Sequence, residues 1–235
     1  MDLDVLVLVL STFLYPYDKM VSAIKDTWGK NKEHFRVIYY YSGDEDKFDG
    51  TDLYVKTTEG DLLGRTKMAI KYCFEHFKFD YILRVCAGSY IVSEEMFKFL
   101  QDKPRERFYC GVDNGGYASG AGYFLSPDVV KIIADNEVPY SGFEPKPGEI
   151  HSCDDGSLGV FLRGKGLSVT PARRVDYNDA TDILPDQILH VGPHADVLVP
   201  GQYHYHVACC PTNGVERTYL LYKKIRCSEL FRKAP

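Results

Sequence analysis

The chain has 235 residues, of which 45% are hydrophobic and 14% aromatic. This composition suits one compact domain, or one domain with a tail. The formal net charge of −5 argues against a nucleic-acid-binding protein, which normally carries an excess of basic residues.

Seven cysteines are present, and their odd number and spacing give no disulfide framework. We therefore expect reduced thiols, as in a cytoplasmic or otherwise soluble protein. The apolar run at residues 5–10 is too short for a transmembrane segment and lacks the basic start of a signal peptide. We expect no transmembrane segment, and the sequence gives no indication of the oligomeric state.

Apolar residues that alternate, or that recur at helical spacing, divide the chain into strands and helices. Ser11 and Thr12 follow the first strand, at the edge where open α/β sheets place their ligand contacts. The alternation of element types favours an α/β domain with a mostly parallel sheet. The predicted elements are, in chain order, a strand at residues 5–10, a helix at 18–28, strands at 36–41 and 53–55, a helix at 62–77, a strand at 81–85, a helix at 93–101, strands at 109–112 and 122–125, a helix at 127–134, a helix after Asp155, a strand at 167–169, a short apolar segment at 188–190, an irregular stretch at 191–216 and a helix at 217–232.

Two adjacent carboxylates, Asp154 and Asp155, precede the apolar run at residues 158–162, which is typical of a short helix. Acidic residues at a helix start are favoured by the free N–H groups and by the helix dipole, and a capping role stays open on this ground. A loop of small residues at 118–122 lies upstream. A carboxylate that faces a backbone-lined pocket is what a reaction with a general base requires, so the pair is the main catalytic candidate.

Five segments in the same order resemble the β-1,3-galactosyltransferase and Fringe group of glycosyltransferases. They are Ile-Lys-Asp-Thr-Trp-Gly at 24–29, Lys67 in its helix, Ala-Ser-Gly-Ala-Gly-Tyr-Phe-Leu-Ser at 118–126, Asp-Asp-Gly-Ser-Leu-Gly at 154–159 and Ile-Leu-His at 188–190. The resemblance implies a GT-A-like, Rossmann-like α/β fold, with a glycosyltransferase domain at residues 1–200 and a C-terminal extension at 201–235 that carries an amphipathic helix.

The resemblance also implies transfer of a hexose, with inversion, from a UDP-sugar donor to a hydroxyl of a glycan acceptor. Asp155 would be the general base, Asp154 would orient it or raise its pKa by like-charge proximity, and His190 would be a ligand of a divalent metal such as Mn²⁺. The residues expected to line the nucleotide and sugar pocket are Ser11, Thr12, Gly120, Ala121 and Gly122. Family members of the secretory pathway usually carry a membrane anchor, so a viral or bacterial enzyme, or an excised domain, is the expected origin.

One departure from the family pattern leaves the metal dependence open. The family has an Asp-Asp-Asp motif after the strand predicted at 81–85, whereas this chain has Arg-Val-Cys-Ala-Gly-Ser-Tyr at 84–90. A hard cation prefers carboxylate oxygens, and none is present there. Positive charge or donors from the chain itself could offset the diphosphate instead. The candidates are Arg84, Lys67 and the backbone N–H groups of Ala87, Gly88 and Ser89.

The missing motif also keeps an alternative open, a nucleotide-sugar or carbohydrate-binding domain that has lost catalysis. A glycoside hydrolase needs two carboxylates about 5–10 Å apart across a bond, which adjacent residues on one turn do not provide. His204 and His206, with Cys209 and Cys210 nearby, lack the usual zinc-site pairing. We interpret the two histidines as polar surface, and the basic residues of the last helix as a solvated face.

Overall fold

The computed structural model describes residues 3–141, 154–177, 186–192, 197–207 and 211–232. It confirms an α/β architecture with a mostly parallel central sheet and flanking helices. The elements are β1 (Val5–Leu10), α1 (Tyr17–Asp26), β2 (Phe35–Gly43), β3 (Lys47–Phe48), β4 (Asp52–Lys56), α2 (Leu62–His76), β5 (Tyr81–Cys86), β6 (Ser89–Ile91), α3 (Ser93–Leu100), β7 (Tyr109–Asp113), β8 (Ala118–Leu125), α4 (Pro127–Asp135), α5 (Asp154–Gly164), β9 (Thr170–Pro171), β10 (Arg174–Asp176), β11 (Ile188–His190), β12 (His204–His206) and α6 (Pro211–Arg232).

The central sheet has eight strands in the order β3-β4-β2-β1-β5-β8-β7-β9. Strands β4, β2, β1 and β5 run parallel, and β8 pairs antiparallel with both β5 and β7. Direction therefore changes between β5 and β8, so that the carboxyl ends of β1 and β5 lie next to the start of β8. Crevices at the carboxyl ends of parallel strands are where open α/β sheets bind ligands.

Alternation along the strands divides the core between the two faces of this sheet. In β1, Val5, Val7 and Val9 point into one apolar cluster, and Leu6 and Leu8 point into the other. Helices α2, α4 and α5 bury their apolar residues in the second cluster, whereas α1, α3 and α6 contribute to the first. The strands read as continuous apolar runs because both of their faces are covered.

A second, smaller sheet packs against the α1 side, with strands in the order β11-β10-β12-β6. Strand β6 follows β5 after only Ala87 and Gly88, and it pairs antiparallel with β12. Strand β12 also pairs in parallel with β10. This short connection places the edge of the second sheet directly beside the carboxyl end of β5.

Three predicted elements differ from the structure. The stretch 118–122, expected to be a loop, is the first part of β8, since small residues allow a strand to lie close to its neighbours. The strand expected at 167–169 is instead the two-residue β9, while Leu167 is buried in the α2-side core. The stretch 191–216 was expected to be irregular, yet it contains β12 and the start of α6 at Pro211.

The boundary predicted at residue 200 falls in the segment that joins β11 to β12, which are strands of the same sheet. Strand β12 lies between β10 and β6, so the residues from 204 to 206 are internal to that sheet. Within the described ranges, no helix has the length and apolar character needed to cross a membrane.

Candidate functional site

A cleft of about 530 Å³ opens at the carboxyl ends of β1 and β5. Residues 10–12 at the end of β1 and residues 86–88 at the end of β5 form its floor, and α1, α2, β8, α5 and β12 supply its walls. Of the twelve residues predicted for the site, the structure brings seven to this cleft. They are Ser11, Thr12, Arg84, Gly88, Gly120, Asp154 and Asp155.

The carboxylate of Asp154 is held in a buried polar network. The guanidinium of Arg84 on β5 donates to its Oδ2 atom at 2.5 Å, and the Thr66 hydroxyl on α2 donates to the same atom at 2.9 Å. Arg84 also donates to the Tyr40 hydroxyl at 3.1 Å and to the Gly120 carbonyl. Because these bonds join Asp154 to β5 and to α2, they hold the start of α5 in place.

The carboxylate of Asp155 also lines the cleft, and Asp155 is the more exposed of the two residues. Its Oδ2 atom accepts the backbone N–H of Gly120 at 2.6 Å, and its Oδ1 atom accepts the N–H of Gly156 at 2.9 Å. Burial, followed by the adjacent charge of Asp154, raises the pKa of Asp155, and Arg84 partly opposes that rise. A half-buried carboxylate with a raised pKa, fixed at the wall of a cleft, has the features of a general base.

The small residues of β8 permit this close approach. A Cβ atom at Gly120 would lie 2.9 Å from Oδ2 of Asp155, and one at Gly122 would lie 2.6 Å from Cε1 of His204. Ala121 does not line the cleft, and its carbonyl accepts the buried hydroxyl of Ser89 at 2.6 Å. Gly120 therefore touches the candidate base, whereas Ala121, Gly122 and Ser89 support the wall from behind.

A second ion pair lies beside the residues that follow β1. The buried guanidinium of Arg65 donates to the Ser11 carbonyl at 3.0 Å and to Glu59 Oε1 at 3.3 Å. Burial raises the pKa of Glu59, but hydrogen bonds from Ser42 and Thr12, together with Arg65, outweigh it and lower the pKa. This network fixes the β1 edge of the cleft, and sequence patterns gave no signal for Glu59 or Arg65.

Cys86, His206 and Asp176 meet at the carboxyl end of β5. His206 on β12 lies against the thiol of Cys86, and its Nδ1 atom is 3.6 Å from Oδ2 of Asp176. Arg174 donates to both carboxylate oxygens of Asp176, at 2.5 and 2.9 Å. Burial of the imidazole opposes its charge, but Asp176 and Cys86 raise the pKa of His206 to about 9.

The interpretation of both histidines as polar surface was wrong. His204 is buried and its Nε2 atom lies 3.0 Å from the Ser89 hydroxyl, while His206 lines the cleft. The pattern His-Tyr-His has the period of a strand, and that period was the available signal.

Lys67 and His190 are not among the residues that line the cleft. Lys67 lies half-buried on α2, and His190 lies on β11, in register with Asp176 of β10. In the ranges that the structure describes, no group of three or more His, Cys, Asp and Glu side chains could hold a metal ion. The residues after β5 therefore do not fit a hard cation such as Mn²⁺, and a metal-ligand role for His190 stays a prediction.

No protein-family model matches the chain. Among solved structures, a glycosyltransferase involved in the glycosylation of the major capsid of PBCV-1 shares 15% identity, covers 92% of this chain and 99% of its own, and superposes with a TM-score of 0.51. The galactosyltransferase LgtC, in complex with donor and acceptor sugar analogues, shares 11% identity over 94% of this chain and 95% of its own, with a TM-score of 0.47. Of these two structures, only the capsid-glycosylating enzyme superposes with a TM-score above 0.5.

At such identities the similarity establishes the fold alone. The chain has the α/β fold of GT-A-like glycosyltransferases, as its strand order and the capsid-glycosylating enzyme indicate. The closer resemblance to the β-1,3-galactosyltransferase and Fringe group stays a prediction.

Proposed function

We propose that this chain is a glycosyltransferase that moves a hexose from a UDP-sugar to a glycan hydroxyl with inversion. One observation carries the proposal: Asp155 faces a cleft at the carboxyl ends of β1 and β5, fixed by Gly120 and backed by the Asp154–Arg84 pair. The glycosyltransferase-like fold supports this assignment.

Inverting transfer is a single displacement, in which the acceptor oxygen attacks the anomeric carbon as the nucleotide leaves. Asp155 would take the proton of the acceptor hydroxyl, and the two N–H donors that hold its oxygens would keep it aimed. A positioned base of this kind contributes about 10²–10⁴-fold in rate. Asp154 would not take the proton, because Arg84 and Thr66 hold its carboxylate in the described network.

The leaving diphosphate needs positive charge or N–H donors. The described donors of Arg84 go to protein atoms, and Lys67 lies away from the cleft, so neither supports the role that the sequence suggested for them. The remaining candidates are the backbone after β5, at Ala87 and Gly88, and the imidazole of His206.

The second candidate is a nucleotide-sugar or carbohydrate-binding domain without catalysis. The observation that favours it is the absence of a carboxylate at Cys86, Ala87 and Gly88, the positions at the end of β5 that line the cleft. Binding without transfer would leave Asp155 as a fixed wall of the cleft rather than a base.

Turnover of UDP-sugars with a panel of glycan acceptors distinguishes the two. For a transferase, Asp155→Asn keeps the side-chain volume and lowers kcat by about 10²–10⁴-fold with donor affinity retained. Because the pKa of Asp155 is raised, the base is lost as pH falls, and the acid limb of the wild-type rate lies at a higher pH than an ordinary aspartate would give.

Glu94→Gln is the matched control, since Glu94 is also an acid in the first turn of a helix but lies on the exposed side of α3. We expect it to leave turnover unchanged. Equal turnover by the wild type and Asp155→Asn would remove Asp155 as the base. Donor binding without turnover of any acceptor would favour the binding domain.

A further inference from the structure

The cleft contains a cysteine whose surroundings differ from those of the other described cysteines. Cys73 and Cys110 are buried in the core, and Cys227 is exposed on α6. Cys86 is partly exposed, lines the cleft and lies beside the imidazole of His206. The proposed glycosyl transfer gives this sulfur no role.

Three strands from two sheets bring the group together. Cys86 ends β5, His206 ends β12 and Asp176 ends β10, with the Nδ1 atom of His206 at 3.6 Å from the Asp176 carboxylate. Arg174 holds that carboxylate through both of its oxygens, and both Cys86 and His206 line the cleft beside it. An imidazole between a thiol and an orienting carboxylate is the arrangement that activates cysteine nucleophiles.

We propose that Cys86 is a nucleophilic thiol and a modification site within the cleft, and that it takes the sulfur of a small disulfide as its partner. Cys86 loses its proton to solvent, the imidazolium of His206 stabilises the thiolate, and the thiolate attacks one sulfur of the disulfide. A new sulfur–sulfur bond forms, the original one breaks, and the other half leaves as a thiolate. The disulfide is the oxidant and is itself reduced, so no further reagent is required.

The electrostatics around the sulfur agree with this geometry. Burial raises the pKa of a thiol, but the hydrogen bond and charge of His206, the Ser89 hydroxyl at 3.7 Å and the charge of Arg84 outweigh it and lower the pKa of Cys86 to about 7. Asp176 and Arg174 face His206, with opposite effects on its charge, and buried His204 has a pKa held well below its usual range. Thiolate and imidazolium therefore coexist between about pH 7 and pH 9.

The core cysteines provide internal controls. Burial raises the pKa of both Cys73 and Cys110 to about 12, and neither lines the cleft. We expect them not to react in the folded protein, since reactivity requires both the thiolate and access. An adduct on Cys86 would occupy the floor of the cleft between β5 and the start of β8.

The test is the reaction of the native chain with dithiodipyridine. The release of thiopyridone measures the rate, and peptide mass mapping identifies which cysteine has reacted. Mapping also assigns any reaction at Cys153, Cys209 and Cys210, which lie outside the described residues. We expect the reaction rate of Cys86 to rise with pH with a midpoint near pH 7. At pH 6 Cys86 should react about fivefold faster than an ordinary thiol of pKa about 8.5, because its larger thiolate fraction outweighs the lower nucleophilicity of a thiolate with a lower pKa. Cys86→Ser should abolish this reaction.

His206→Gln should slow the reaction of Cys86 at pH 7 by about tenfold and move its midpoint upward, because the positive charge that stabilises the thiolate is lost. Circular dichroism of both variants checks that the fold is retained, and the wild-type midpoint alone tests the proposal if either variant is unstable. A midpoint at or above that of free glutathione, or a Cys86 as unreactive as Cys73, would overturn it. These readouts do not depend on whether the chain transfers sugars.

Discussion

Replacement of Arg84 by Met would remove the charge that compensates a buried carboxylate. The two side chains of the Arg84–Asp154 pair are only 2% and 5% exposed, and their closest atoms are 2.5 Å apart. The substitution also leaves the Tyr40 hydroxyl and the Gly120 carbonyl without the donor that they have in the native chain. Breaking a buried pair from one side costs about 3–5 kcal/mol, because the remaining charge is desolvated and uncompensated.

A loss of that size is large against the usual stability of a domain. At this length each kcal/mol lowers the melting temperature by about 2–4 °C, so we expect Arg84→Met to melt about 6–20 °C below the wild type. Urea unfolding measures the free energy directly, and the single tryptophan, Trp28, is a suitable reporter because it is buried and packs 6.2 Å from the Tyr90 ring. The midpoint should fall while the slope with urea stays the same.

Two further variants show whether the pair is the cause. Arg84→Met combined with Asp154→Asn should be less destabilised than the sum of the two single variants, by about 1–3 kcal/mol, since neither charge is then left alone. Arg36→Met is the control, because Arg36 is exposed and stacks its guanidinium on Phe77, and we expect it to cost less than about 1 kcal/mol. Strict additivity of the two single variants, or an Arg84→Met chain as stable as the control, would refute the reasoning.

Two other predictions concern the β8 wall and the second sheet. Gly120→Ala should lower the rate of sugar transfer by about 10²-fold, because the added Cβ displaces the Asp155 carboxylate by a fraction of an ångström or more. Gly164→Ala, where the added Cβ meets open space, should leave the rate unchanged, and steady-state kinetics of the two variants tests this. Burial raises the pKa of Asp176, but its imidazole and guanidinium neighbours outweigh burial and hold that pKa well below the usual range. The ionised Asp176 carboxylate therefore stabilises the fold above about pH 4, and this stabilisation is lost as pH falls below that value. Urea unfolding should show that Asp176→Asn costs about 3–5 kcal/mol at pH 7 and progressively less below about pH 4. A pH-independent difference would contradict this.

The framework of the fold could be predicted because its signals are local. Strands β1 and β5 are apolar runs bounded by polar residues, and α2 has apolar residues at helical spacing, so each element is specified by its own sequence. The second sheet could not be predicted in this way. Its strands β10, β11 and β12 have only three residues each, and their pairing is decided by contacts between distant segments.

The candidate site was predicted in part for the same reason. Asp154 and Asp155 stand out because they are adjacent and precede a helix, yet only the structure shows that Arg84 holds Asp154 and that the Gly120 N–H holds the more exposed Asp155. Arg84 was expected to meet a diphosphate, because sequence cannot show that a partner 70 residues away already holds it. The strand period of His-Tyr-His was visible, but the place of His206 in the cleft was missed because it depends on the pairing of β12 with β10 and β6, which are distant in sequence.

The insertion of β12 between β10 and β6 has a consequence for the order of assembly. The hydrogen bond between Ser89 and His204 joins residues 115 apart in sequence, and this bond lies beside the floor of the cleft. Loop closure over such a distance has to be overcome before the contact stabilises anything, which is characteristic of late steps in folding. A growing chain would thus form its central sheet early, and the cleft would be completed only after the segment that carries β12 has emerged and docked.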